Sequence, residues 1–339
     1  MSVKMNKIAV APLKIGNITL KNNLVLAPMA GITDQVFRLL AKEGGAGLVC
    51  TEMLSSNALA HKDRKTNNMM LLSKDEHPVS VQVFGSTPQI MADSAKMVEE
   101  SGADIVDINF GCPVNKIIKS GAGAKLLENE DLMKSIIDSV VKSVKIPVTI
   151  KIRIGNVKDE NVAPRVIKIA QELGVCAVAV HGRAAEFKHA GSPDLEAVKE
   201  AVKAAKIPVI GNGGIVDEIT AGEFLEKTGC DGIMIGRAAV GDPFMFERIS
   251  HYLETGEISK TPSWEIRTQN LRKHAEMAMA YYGNKIGIIR LRKLAPYYLK
   301  GLPNATKIRE RFNHIETLEQ LDELLAYVWK SPYFEAENE

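Results

Sequence analysis

The sequence predicts an α/β fold, a TIM (β/α)₈ barrel, followed by a small all-helical carboxyl-terminal domain. Three observations predict it. Eight short β-rich runs recur with helical stretches between them, and strand signals stop after about Asp242. The chain has 339 residues, room for a barrel of about 250 residues and a smaller partner. The runs are Leu24–Ala27, Leu48–Glu52, Ser80–Phe84, Ile105–Asn109, Val148–Ile152, Ala177–His181, Val209–Gly211 and Gly232–Ile235. Helical spacing marks Pro88–Ser101, Asp131–Val144, Pro164–Leu173, Asp194–Ala205 and Ile219–Lys227. Periodicity alone does not prove closure, so a doubly wound open sheet is the competing architecture. Against it, Gly121-Ala122-Gly123-Ala124-Lys125-Leu126 lacks the third glycine of a dinucleotide turn and does not directly follow a strand.

The division falls between residues 1–245 and 246–339. In the second part Thr261 is expected to cap a helix with Pro262 at its first position, and Gly283 to end it. Further helices are expected at Ile286–Lys300, Lys307–Asn313 and Leu318–Lys330, the last with a capping box from Thr317 and Gln320. The stretch Gly256–Lys260 reads as the connection between the two parts.

Composition narrows the class. Hydrophobic residues make up 45% and charged residues 25%, an ordinary globular balance. A net charge of +2 is too small to demand a nucleic-acid partner, so any basic surface must be local. No apolar stretch is long enough to span a bilayer. Met1 to Leu20 lacks the apolar run of a secretory signal, so a soluble cytoplasmic protein is expected, with no membrane partner. The four cysteines form no Cys-x-x-Cys pair, which argues against a zinc ribbon or redox dithiol; no metal is expected. Cys50, Cys176 and Cys230 read as small buried hydrophobes.

Cys112 is different. Asp107-Ile108-Asn109-Phe110-Gly111-Cys112-Pro113 places a thiol on a tight loop at the carboxyl end of the fourth strand, with Asp107 and Asn109 on one face. Gly111 is expected to give the turn its freedom, and Pro113 to fix the chain beyond it. Barrel sites lie at strand carboxyl ends, and here those ends are polar: Met29, Glu52, Gln82, Asn109, Lys151 with Arg153, His181 and Asn212. Thr149, Lys151 and Arg153 share one face of the fifth strand. The plainer reading of Lys151 is a strand lysine paired with Asp107 or Glu52. After the last two strands, Gly211-Asn212-Gly213-Gly214 and Gly236-Arg237-Ala238 suit a phosphate, with backbone N–H groups exposed by glycine and a charge-assisted contact from Arg237.

Ala27–Asp34 (APMAGITD), Gly47–Met53 (GLVCTEM), Asp107–Lys116 (DINFGCPVNK), Val148–Gly155 (VTIKIRIG) and Gly229–Arg237 (GCDGIMIGR) closely resemble tRNA-dihydrouridine synthases, the bacterial B-type subfamily above all. The resemblance covers the barrel in order, and the helical tail has the family's length and position. It implies an FMN-dependent reduction of the uracil C5–C6 bond in tRNA, driven by NADPH or NADH. Pro28, Met29 and Ala30 would line the flavin, Gln82 and Lys151 would contact its ring system, and His181 would touch cofactor or substrate. Asn212, Gly213, Gly214, Gly236 and Arg237 would hold its phosphate. Cys112 would be the general acid, and Asn109 and Arg153 would orient the base. The family often carries Asp where this chain has Gly214.

Hydride delivered to C6 leaves C5 to be protonated, and a thiol with an ordinary pKa of about 8.5 is a usable acid near neutrality. The substrate base must be drawn out of a folded RNA, so a second, cationic surface is needed. The segment Lys285–Arg311 carries Lys285, Arg290, Arg292, Lys293, Lys300, Lys307, Arg309 and Arg311 against one acid, Glu310. Arg290, Arg292 and Lys293 are the expected tRNA contacts, and a monomer is expected. Two other readings compete: an FMN barrel oxidoreductase acting on a small molecule, and a non-catalytic RNA-binding protein. The first gives the basic tail no task; the second leaves Cys112 and Lys151 without one.

Overall fold

The structure is a computed structural model that describes residues 12–302 and 305–329. The start of the leader reading and Lys330 of the last predicted helix lie outside those residues.

Eight parallel strands close on themselves: β1 (Leu24–Leu26), β2 (Leu48–Cys50), β3 (Val79–Phe84), β4 (Ile105–Phe110), β5 (Val148–Arg153), β6 (Ala177–His181), β7 (Val209–Asn212) and β8 (Gly232–Ile235). Each pairs with the next, and β8 returns to β1 with Ile233 opposite Leu24, so the sheet is a closed barrel rather than an open one. Leu54–Ser55 adds a short extra pairing beside β3.

Parity sorts the strand residues into two cores. Val79, Val81, Val83, Val106, Ile108, Phe110, Ile150, Ile152, Val178 and Val180 face outward into the layer between sheet and helices. Val25, Leu48, Cys50, Ile105, Ala177, Ala179, Ile210 and Met234 fill the interior. Both faces are buried, which is why these strands read as nearly continuous apolar runs. A hairpin, Lys14–Ile15 against Ile18–Thr19, brings Leu13, Ile15 and Leu20 into the inner cluster. Its Gly16 abuts Pro147 and Cys176, which precede β5 and β6, so the hairpin stoppers the amino-terminal end of the barrel. Buried Cys50 and Cys230 are the small hydrophobes expected, whereas Cys176, under this stopper, is only partly buried.

The last helix on the barrel, Met245–Thr255, packs on Glu218–Thr228. After it the predicted cap is displaced: Ser263, not Thr261, begins the long helix Trp264–Tyr282, its Oγ accepting from the Ile266 N–H. Gly283 ends that helix as expected. The predicted helix Ile286–Lys300 is split into Asn284–Leu291 and Ala295–Tyr298, because Pro296 has no N–H to continue the ladder. Helices Ala305–Phe312 and Leu318–Trp329 follow. Thr317 Oγ1 accepts from Gln320 N–H at 3.3 Å, but the Gln320 side chain turns to the N–H of Glu316, one residue short of a capping box.

The tail is joined to the first barrel loop through Asp34. That carboxylate caps helix Gln35–Glu43 by accepting from Phe37 N–H, and also accepts from the Tyr282 hydroxyl at 2.8 Å and from Arg290 at 3.4 Å. Beneath it, buried His274 shares a 2.9 Å hydrogen bond with the Tyr298 hydroxyl, and burial pulls its pKa down to about 4, so it is neutral.

Candidate active site

Inward positions grow more polar toward the carboxyl ends of the strands, and the register brings those polar residues side by side. Gln82 stands opposite Asp107, Asp107 opposite Thr149, Asn109 opposite Lys151, Arg153 opposite His181, and His181 opposite Asn212. The register therefore places Gln82, Asn109, Lys151, Arg153, His181 and Asn212 on successive strands around the mouth, with Met29 and Glu52 on the loops after β1 and β2.

Cys112 sits at that mouth. Its loop is held from three sides. Asn109 Oδ1 accepts from the N–H groups of Gly111 and Cys112 at 3.1 and 2.9 Å. Arg153 Nε donates to the Gly111 carbonyl at 2.8 Å. The Cys112 carbonyl accepts from Ala124 N–H at 3.1 Å, which gives the Gly121–Gly123 segment its purpose: Gly123, at φ +64°, lies against that carbonyl. Gly111 does not adopt a positive φ. It is needed for closeness instead, since a Cβ there would lie 3.3 Å from the Ile152 carbonyl carbon. Partial burial pushes the Cys112 thiol up, only partly offset by the Val114 N–H and the charges of Arg153 and Lys151. The thiol is accordingly protonated at neutral pH and able to donate.

Lys151 does not pair with Asp107 or Glu52; its ammonium donates to Asn212 Oδ1 at 2.9 Å, and Asn212 is fixed in turn by donating to the Met234 carbonyl. Burial, and then the neighbouring Arg153 charge, lower Lys151 to about 8. Arg153 is lowered to about 10, mainly by burial. Burial followed by the charges of Lys151, Arg153 and Arg183 drives His181 far below the usual histidine range. His181 is thus neutral, and because its Nδ1 accepts from the Arg183 N–H, its proton sits on Nε2. Two pairs of partners leave Gln82 and Asn109 almost fully committed: Gln82 Nε2 donates to Asp107 at 2.6 Å and its Oε1 accepts from Asn109 Nδ2 at 2.8 Å.

On the opposite arc, Gly213 and Gly214 have φ of +114° and +75°, and Gly236 lies beneath Met29 Sδ. Pro28 and Met29 are partly covered and Ala30 is exposed, on the loop that crosses this arc. A Cβ at Gly213 would press on His181 and Arg183 at 3.4 Å, and one at Gly214 would meet Pro193 Cγ at 2.8 Å. Arg237 is exposed at the rim. Arg183, which sequence reading missed, is buried and contributes a further cation; its same-face position two residues beyond His181 was the available signal. The glycine cradle and surrounding cations fit a phosphorylated, electron-rich ring ligand.

The tail cations are placed less uniformly than their sequence suggests. Arg290 lies 4.1 Å over the Tyr282 ring and reaches Asp34, while Arg292 donates to the Ile315 carbonyl. Lys293 is exposed, and its Nζ lies 3.3 Å from where a Cβ on Gly31 would be, at the barrel mouth beside Glu52. Lys300, Lys307 and Arg311 are exposed, Arg311 stacking over Tyr327.

The family model described as "Dihydrouridine synthase (Dus)" matches residues 25–331. The chain belongs to the dihydrouridine synthase family. This family member is 41% identical over 302 residues to a probable tRNA-dihydrouridine synthase of Rickettsia bellii, covering 89% of this chain and 93% of that one. It is 42% identical over 303 residues to tRNA-dihydrouridine synthase B of Pseudomonas putida, covering 89% and 90%. Solved structures share the barrel at low identity. A morphinone reductase mutant in complex with tetrahydroNAD matches at TM-score 0.56 and 13% identity, over 77% of this chain and 94% of that one. Histamine dehydrogenase from Rhizobium sp. 4-9 matches at TM-score 0.57 and 15% identity, over 85% and 51%. Among the described residues, no group of three or more metal-binding side chains occurs, and no helix is long and apolar enough to cross a membrane.

Proposed function

We propose that this enzyme reduces uridine to 5,6-dihydrouridine in tRNA, with FMN across the barrel mouth and NADPH or NADH as reductant. The relatives' names support the reaction. The single observation that carries the mechanism is a thiol pinned on a strand-end loop beside fixed polar groups. Pro28, Met29, Ala30, Gln82, Lys151 and His181 would hold the flavin ring, and Asn212, Gly213, Gly214, Gly236 and Arg237 its phosphate. When bound, FMN supplies the hydride that adds to uracil C6.

The chain's own residues do the rest. Cys112 Sγ gives its proton to C5 and regains one from water. Lys151 holds positive charge beside the electron-rich ring. His181 offers its Nε2–H, and Arg153, which spends Nε on the Gly111 carbonyl and Nη1 on the Arg183 and Ala184 carbonyls, keeps Nη2 for the base. Asn109 orients the base with the Nδ2 hydrogen that otherwise makes only a 3.7 Å contact to Met53 Sδ. Residues beyond the linker at 256–263 form the RNA-facing unit, with Arg292, Lys293, Lys300 and Lys307 meeting phosphates and Arg290 holding the unit to Asp34. The base enters by leaving its stack.

The test is Cys112→Ala. Flavin absorbance and tRNA affinity should persist while uridine reduction falls roughly 10²–10⁴-fold. A wild-type rate would remove the acid role.

A further inference from the structure

Cys112 stands at the end of a chain of hydrogen bonds whose other end is a buried carboxylate. Asp107 is inside the barrel, 5% exposed, and its two oxygens accept from Thr149 Oγ1 at 2.7 Å and Gln82 Nε2 at 2.6 Å. Gln82 Oε1 accepts from Asn109 Nδ2, and Asn109 Oδ1 accepts from the N–H groups of Gly111 and Cys112. Gln82 and Asn109 are 1% and 7% exposed, so water cannot substitute for a lost partner.

An amide side chain has a donor end and an acceptor end, and each link must point the same way as the next. The two termini of this chain allow only one direction. Burial pushes the Asp107 carboxyl up, countered by the hydrogen bonds from Gln82 and Thr149 and by the Lys151 charge; as a carboxylate it accepts and cannot donate, so Gln82 must turn Nε2 toward Asp107 and Oε1 toward Asn109. Backbone N–H groups donate and cannot accept, so Asn109 must turn Oδ1 toward Cys112 and Nδ2 toward Gln82. The requirements agree at the middle link. We infer that Asp107 is a positioning residue for the proton donor, setting the direction of a Gln82–Asn109 relay that fixes the Cys112 loop. This rests on the reading of Cys112 as the acid, but its test does not use that chemistry.

The relay predicts a specific dependence between two near-isosteric changes. Asn109→Asp keeps an oxygen for Gly111 and Cys112 but turns a second oxygen toward Gln82 Oε1. Asp107 prevents the Gln82 amide from turning to relieve that conflict. Asp107→Asn removes the constraint, because an amide at 107 can donate to Gln82 Oε1 and let Nε2 face the new carboxylate.

The experiment is amide hydrogen exchange in peptides spanning residues 110–114 of the flavin-loaded, full-length enzyme. Asn109→Asp should speed exchange more than tenfold, Asp107→Asn alone less than threefold, and the pair should return to within threefold of wild type. In a Gln82→Met background the rescue should vanish. A double variant that exchanges as fast as Asn109→Asp alone overturns the relay. So does a rescue that survives Gln82→Met, since the effect would then be direct repulsion between two carboxylates. Loss of uridine reduction in Cys112→Ala is read separately, so failure of either idea leaves the other measurable.

Discussion

Gly214→Asp, the residue the family often carries, is expected to destabilise this chain. Two terms set the size. Gly214 has φ +75°, and a Cβ there would lie 2.8 Å from Pro193 Cγ and 2.9 Å from Cδ, atoms of a ring that cannot rotate away. Left-handed backbone costs an L-residue roughly 1–2 kcal/mol, with aspartate at the low end. Forcing extra atoms into a packed site typically costs about 1–3 kcal/mol. The sum is about 2–4 kcal/mol, measured as a loss of unfolding free energy in urea. Pro193→Ala deletes both clashing atoms, so in that background Gly214→Asp should cost only about 1 kcal/mol. The two substitutions should therefore be coupled, as contacting residues are. A cost within about 0.5 kcal/mol of zero, or the same cost in both backgrounds, would refute the steric argument.

Three further outcomes are expected. Glu76 is fully buried against Arg38 at 2.5 Å, so Glu76→Ala, which strands the Arg38 charge, should lower urea stability by about 3–5 kcal/mol; an unchanged midpoint would count against it. Lys151 is lowered from its ordinary value to about 8, so between pH 8 and the unfolded lysine range the folded state binds fewer protons than the unfolded one. Stability of flavin-free protein should gain from this residue as pH rises through that window, and Lys151→Met should reduce the slope; equal slopes would remove the claim. Lys300→Glu with Lys307→Glu, both at exposed positions, should raise the tRNA KM and flatten its salt dependence without altering NADPH oxidation. A KM that stays put would move the RNA surface elsewhere.

The barrel was legible because parallel strands covered on both faces leave dense apolar runs, and β6 and β8 begin and end where those runs do. The tail was less so, since Thr261 and Ser263 are both acceptable caps and only packing of Trp264–Tyr282 selects between them. Within the site, period-two alternation correctly put Asp107 with Asn109, and Lys151 with Arg153, on shared faces; that those faces point inward came from barrel closure. Partners were not legible. That Lys151 meets Asn212, or that Arg290 turns back to Asp34, depends on register and docking between segments far apart in sequence. A cationic stretch shows charge, not direction.

The hairpin at the amino-terminal end gives the barrel a single door. Ile15 and Leu20 fill the floor, so whatever meets Cys112 must arrive and depart over the opposite rim. The nicotinamide reductant and the RNA of the proposed reaction would share that one approach.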